Sequence, residues 1–85
     1  MKQKIRLRKK AKTLDPAVRV GKAGLNESVI KELGKVLKKR KLVKIKLLKS
    51  SISKRNKEEL IKSIATSTNS IIVEVVGNVV VVYRE

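Results

Sequence analysis

The 85-residue sequence contains no cysteine and no histidine, and Tyr83 is its only aromatic residue. Without cysteine the chain can form neither disulfides nor thiolate metal sites, and without histidine it lacks the usual general base and the commonest metal ligand. One tyrosine cannot form the aromatic platform on which several bases stack. These absences argue against an enzyme, and we expect no metal, no cofactor and no small-molecule substrate.

Long apolar segments are also missing. The longest apolar run, Val79 to Tyr83, is far too short to cross a membrane, and no apolar segment of the signal-peptide type follows the charged N-terminus. We therefore expect a cytoplasmic protein. Pro16 is the only proline, and no linker is long enough to divide the chain, so residues 1–85 are expected to form one small domain with a thin core.

Acidic residues are scarce: seven face 23 lysines and arginines, which gives a net charge of +16. The basic residues are concentrated in the first two thirds of the chain, and after Ser63 the only one is Arg84. The electrostatic repulsion within a chain of this net charge opposes compact folding, and the positive charge attracts polyanions. Its uneven distribution favours a binding face over general solubilisation, and we expect a monomer that binds nucleic acid.

Apolar periodicity predicts three helices and four strands. The helices are predicted at Lys2–Thr13, from Glu27 to about Arg40, and from about Asn56 to Asn69; the strands are predicted at Ala17–Val20, Leu42–Leu48, Ile71–Val76 and Val79–Tyr83, with a loop over Lys49–Ser53. The last two strands are joined by Gly77-Asn78, a typical hairpin turn. The order α-β-α-β-α-β-β predicts an α+β fold, a two-layer α-β sandwich with a mixed four-stranded sheet.

A Gly-x-x-Gly loop, formed by Gly21, Lys22, Ala23 and Gly24, lies between the first strand and the second helix. Asn26 is a good N-cap for that helix. A glycine loop that opens a helix brings unpaired backbone N–H groups to one place, where an anion can approach closely. Such spacing is also common in ordinary tight turns. The surrounding basic residues favour the phosphate-binding interpretation; those predicted to contribute are Lys9, Lys10, Lys12, Arg19, Lys44 and Lys46.

Several segments resemble the CRM domain, the chloroplast RNA splicing and ribosome maturation domain that also occurs as stand-alone YhbY-like proteins. The matching text is Leu14-x-Pro16, Val18-x-Val20-Gly21-Lys22-x-Gly24-Leu25, Leu42-Val43-Lys44-Ile45-Lys46, Val76-Gly77 and Val82-Tyr83-Arg84. The resemblance covers almost the whole chain. It implies a fold similar to the C-terminal domain of translation initiation factor three, with RNA contacted by the glycine loop and its basic surroundings.

The same resemblance marks Leu25 as the packing residue behind the loop, and it marks Lys44, Lys46 and Arg84 as further RNA contacts. It implies that the partner is structured RNA in precursors of the large ribosomal subunit. Two positions depart from the family pattern: Asn78 stands where a basic residue is common, and Asn69 replaces a glycine at the end of the third helix.

A sequence-nonspecific DNA-binding or nucleoid protein is the alternative, because a chain of this charge binds any polyanion to some degree. No helix-turn-helix or zinc pattern supports it. A protein that acts on anionic membranes is less favoured, since the basic first helix lacks an aromatic and leucine-rich face.

Overall fold

The computed structural model describes residues 2–21, 24–52 and 56–85. Its elements in chain order are α1 (Lys2–Ala11), β1 (Val18–Val20), α2 (Glu27–Arg40), β2 (Leu42–Leu47), α3 (Lys49–Ile52), α4 (Lys57–Thr68), β3 (Ile71–Val76) and β4 (Val79–Tyr83). The predicted combination of helices with a mixed four-stranded sheet is confirmed. The one additional element is α3, a single helical turn where a loop was expected. Four residues are too few for an apolar period to reveal such a turn in the sequence.

The sheet has the strand order β1-β2-β4-β3. Strands β1 and β2 are parallel, and β4 is antiparallel to both of its neighbours, β2 and β3. The last strand in the sequence thus lies inside the sheet, between β2 and β3. A register irregularity between Ile72 and Glu74 interrupts the pairing of β3 with β4.

The main core lies between one face of the sheet and helices α2 and α4. The helices contribute Leu33, Leu37, Leu60 and Ile64, all almost completely buried, and the strands contribute alternate residues such as Val20, Ile45 and Val80. Because side chains alternate along a strand, the residues between them point to the other face. That second face is where the charged residues of β1 and β2 are found.

Helix α1 packs on the second face. Ala11 is buried there against Leu42, Val73 and Val81, and Leu7 lies one helical turn before Ala11. The only tyrosine, Tyr83, packs against this smaller cluster. The prediction of two layers does not include this packing of α1, which covers part of the second face of the sheet. Among the described residues, no helix combines the length and apolar character needed to cross a membrane.

Candidate nucleic-acid interface

The connection between β1 and α2 contains a hydrogen-bonded turn that begins at Gly21 and ends at Gly24, which we call the glycine turn. The Gly24 N–H donates a hydrogen bond of 2.9 Å to the Gly21 carbonyl oxygen, and Gly24 has a φ of +69°. A Cβ on Gly24 would meet no atom within 4 Å, so the backbone conformation, rather than lack of space, favours glycine there. The Gly24 N–H is therefore not among the unpaired donors expected at this corner. Lys22 and Ala23, predicted as RNA contacts, lie outside the described residues.

Asn26 acts as the N-cap of α2. Its side-chain Oδ1 accepts a hydrogen bond of 2.9 Å from the Val29 N–H, as the sequence predicted for a cap. Leu25, next to it, packs against the main core, which agrees with its predicted role behind the loop. These two contacts fix the end of the glycine turn to the body of the protein. The capping bond occupies an oxygen of Asn26 that would in any case repel a phosphate.

Two exposed cations lie beside the glycine turn. Arg19 of β1 and Lys46 of β2 are register partners, and both side chains are exposed. Partners in adjacent strands point to the same face, which here is the second face. Arg19 precedes Gly21 by two residues, and the side chain of Leu48, two residues after Lys46, lies 3.7 Å from a Cβ built on Gly21. Arg19 and Lys46 therefore form a positively charged pair at the base of the turn.

The same register continues across the other two strands. Lys46 pairs with Val79 of β4, and Val79 pairs with Val76 of β3. We call this set the open row; from edge to edge of the sheet it consists of Arg19, Lys46, Val79 and Val76. Val76 is 61% exposed, which is the largest value among the exposed apolar side chains of the described residues. The open row is thus cationic at one edge and apolar at the other.

Lys44 has a different environment from Lys46, although both point to the second face. Its Nζ donates hydrogen bonds of 3.2 Å to the carbonyl oxygens of both Ala11 and Leu14. These carbonyls belong to the end of α1 and the segment that follows it, and the Ala11 oxygen also accepts a hydrogen bond of 3.1 Å from the Leu14 N–H. Lys44 thus attaches α1 to β2, and part of its hydrogen-bonding capacity is used within the protein.

The predicted cations of α1 and its following turn are exposed. Lys12 borders a groove together with Lys44, so it lies close to the open row. Lys9 and Lys10 line a separate shallow depression with Arg6 and Thr13. Of these three lysines, Lys12 is therefore the one that shares a groove with Val79 of the open row.

Arg84 lies at the other end of the sheet. Its Nη1 donates to the Thr68 carbonyl oxygen at 3.0 Å and its Nη2 to that of Gly34 at 3.1 Å. Tyr83 pairs with Leu42, the first residue of β2, whereas the glycine turn follows the pair of Val20 with Leu47. The length of β2, roughly 16 Å, separates the two ends. Arg84 joins α2 to α4 and does not lie with the cations of the turn.

The apolar half of the open row is absent from the residues predicted as a site. The Gly77-Asn78 turn already implies that Val76 and Val79 face each other. Their alignment with Lys46 depends on the pairing of β2 with β4, which are separated by more than thirty residues of sequence. No local pattern specifies that register.

Comparison with known proteins gives consistent results. The family model described as the CRS1 / YhbY (CRM) domain matches residues 1–84. Probable RNA-binding protein YqeI of Bacillus subtilis is 34% identical over 84 residues, which cover 99% of this chain and 85% of YqeI. Probable RNA-binding protein MJ0652 of Methanocaldococcus jannaschii is 41% identical over 83 residues, 98% of this chain but only 61% of that longer protein.

A solved structure supports the same assignment. The solution structure of the hypothetical protein SAV1595 from Staphylococcus aureus matches with a TM-score of 0.81 and 38% identity, and the match covers 99% of this chain and 85% of that one. The family model, the sequence relatives and the similar structure each extend over nearly the whole chain. The chain belongs to the CRS1/YhbY (CRM) domain family.

Proposed function

We propose that this protein binds structured RNA through the glycine turn and the cationic half of the open row, with Lys12 as a further contact. The observation that carries the proposal is the in-register pair of Arg19 and Lys46, exposed at the base of the turn. The names of the relatives YqeI and MJ0652 describe RNA binding. Arg19, Lys46 and Lys12 all carry positive charge on the second face of the sheet, where they could contact successive phosphates of an RNA backbone.

The proposed mode of binding depends on phosphates and on RNA shape. Arginine and lysine contact phosphate oxygens regardless of base identity, and a single partly buried tyrosine offers no stacking platform. A folded RNA presents several phosphates at fixed positions, so it matches a rigid sheet face better than a flexible single strand does. We further propose that the client is precursor large-subunit ribosomal RNA and that the protein acts in ribosome assembly, as the family resemblance implies.

Competition binding tests RNA against DNA. The purified protein is titrated with a fluorescent fragment of large-subunit ribosomal RNA at physiological salt, and unlabelled duplex DNA or the same RNA is added as competitor. We expect RNA to compete at much lower concentration than DNA of equal length. Equal competition would support a nonspecific DNA-binding protein instead.

Co-sedimentation tests the proposed client. Cell extract is crosslinked and separated on a density gradient, and the RNA attached to the protein is sequenced. We expect the protein in large-subunit precursor fractions, with crosslinks to their ribosomal RNA. Its recovery with unrelated RNAs alone would contradict the assembly role while leaving RNA binding intact.

A further inference from the structure

A groove adjoins the open row on the second face of the sheet, next to the end of α1. Its volume is about 300 Å³, and its base is formed by the apolar side chains of Val79 and Val81 on β4. Lys12 and Lys44 border it on the side of α1 and β2. The groove is at the lower end of the size range of small-ligand sites, which suits one nucleotide.

Glu74 lines the opposite side of this groove. Val81 of β4 pairs with Lys44 of β2 on one side and with Glu74 of β3 on the other, so Lys44 and Glu74 lie on the two strands that flank β4. Neighbouring strands are about 4.8 Å apart, which places the Cα atoms of Lys44 and Glu74 about 10 Å from each other. Because Val81 is itself buried in a cluster with Ala11, the accessible apolar surface on β4 at this groove is that of Val79, over which a flat ring would lie.

The Glu74 side chain is partly buried, and within residues 2–21, 24–52 and 56–85 no hydrogen bond or ion pair engages it. A carboxylate on a face that only contacted phosphates would weaken binding through repulsion. An ionised carboxylate accepts hydrogen bonds and cannot donate them. The residue therefore suits a ligand that presents N–H groups at this side of the groove and negative charge at the other.

We propose that the groove holds one unpaired guanine nucleotide of the bound RNA, with its base directed at Glu74. This inference rests on the proposed RNA binding and adds a base preference to it. Guanine presents two adjacent donors, N1–H and the N2 amino group, which match the two oxygens of a carboxylate. Adenine and cytosine place a ring-nitrogen acceptor beside their amino group, and uracil places its N3–H between two carbonyl oxygens.

The remaining contacts fit the rest of the nucleotide. The accessible apolar surface of Val76 and Val79 can cover the face of the base and the ribose, because unpaired bases splay out of folded RNA and pack against side chains. Lys12, which is exposed at the groove, can contact the adjoining phosphate. Lys46 pairs with Val79, so the phosphate of the next nucleotide would pass along the open row.

The test uses a set of short RNA hairpins that differ only in one bulged nucleotide: guanine, adenine, cytosine, uracil or inosine. For the wild-type protein we expect about tenfold tighter binding of the guanine bulge, within the range of a two-bond base contact. Inosine lacks the N2 amino group and should lose much of this advantage. Glu74→Gln retains the shape of the side chain but replaces one acceptor by a donor, and it should bind all the hairpins with similar affinity.

Glu32→Gln is the matched control. It removes the same charge from an exposed position on α2 and should strengthen binding of every hairpin alike, with the guanine preference unchanged. Equal binding of all hairpins by the wild-type protein, or a preference that persists in Glu74→Gln, would overturn the groove assignment alone. Failure to bind any hairpin or ribosomal RNA would overturn the proposed function itself.

Discussion

Arg19 and Lys46 are register partners on parallel strands, and both side chains are exposed on one face of the sheet beside the glycine turn. If each neutralises one phosphate, replacing both by glutamine stops the release of two counterions on binding. The slope of log affinity against log salt should then become shallower by about 0.7–0.9 for each phosphate that is no longer neutralised. Fluorescence anisotropy titrations with ribosomal RNA at several salt concentrations measure this slope.

A charge-matched control separates a specific interface from general attraction. Lys38 and Lys39 are exposed in the last turn of α2, at the opposite end of this helix from the glycine turn. Replacing these two lysines by glutamine removes the same total charge. A slope changed equally by both pairs of substitutions would contradict the proposed interface.

The glycine turn can be tested with two substitutions at Gly24. Asparagine and aspartate both tolerate the left-handed backbone conformation found there, and a Cβ meets no atom within 4 Å. Gly24→Asp should weaken RNA binding by about 1 kcal/mol, the repulsion expected at about 4 Å from a phosphate in water, while Gly24→Asn should change it little. Anisotropy titrations at low salt compare the two variants.

Lys22→Ala provides an independent test of the same turn, since it removes a charge that the sequence places within it. We expect weaker binding and an unchanged unfolding transition. If Gly24→Asp, Gly24→Asn and Lys22→Ala all bind RNA as tightly as the wild type, the turn does not contact RNA.

Replacement by methionine should lower mainly the stability of the protein at Lys44 and mainly its RNA affinity at Lys46. Lys44→Met leaves the Ala11 and Leu14 carbonyl oxygens without their charged donor, so we expect a loss of about 1–2 kcal/mol in the free energy of unfolding. Lys46→Met removes an exposed charge, so stability should change by less than about 0.5 kcal/mol while RNA binding weakens. Urea denaturation and RNA titration of both variants check the contrast; the reverse pattern would exchange the assigned roles.

Arg84 should matter for stability more than for binding. Arg84→Ala removes hydrogen bonds to Thr68 and Gly34 that join α4 to α2, and we expect the free energy of unfolding to fall by about 1–3 kcal/mol. Arg40→Ala, at an exposed position, is the control and should cost much less. Both variants are compared by urea denaturation. Unchanged stability of Arg84→Ala together with weaker RNA binding would instead support the sequence prediction that Arg84 contacts RNA.

Local chemistry explains why most of the fold could be predicted. The apolar period of 3.6 marked α2 through Leu33 and Leu37, alternation marked β2, and Gly77-Asn78 marked the hairpin. Asn26 and Asn69 were recognisable as helix boundaries, and the structure shows the cap at Asn26 and a left-handed φ of 51° at Asn69. Each of these signals lies within a few residues of the feature that it predicts.

Long-range contacts explain what could not be predicted. Alternation shows that Lys44 and Lys46 share a face, but it does not show that α1 covers one and leaves the other exposed. The placement of Arg84 depends on carbonyl groups 16 and 50 residues away. Glu74 likewise gains its position opposite Lys44 only through the intervening strand β4.

The interior position of β4 has a consequence for the order in which the protein can fold during translation. Strand β2 finds its second partner only in residues 79–83, and β3 is joined to the rest of the sheet solely through that strand. Until Tyr83 has left the ribosomal exit tunnel, the growing polypeptide can form helices and the short β1–β2 pair. The four-stranded sheet cannot be completed before that point, because β4 is missing from its interior. The nascent chain should therefore acquire protease resistance in one late step, rather than gradually as each segment emerges.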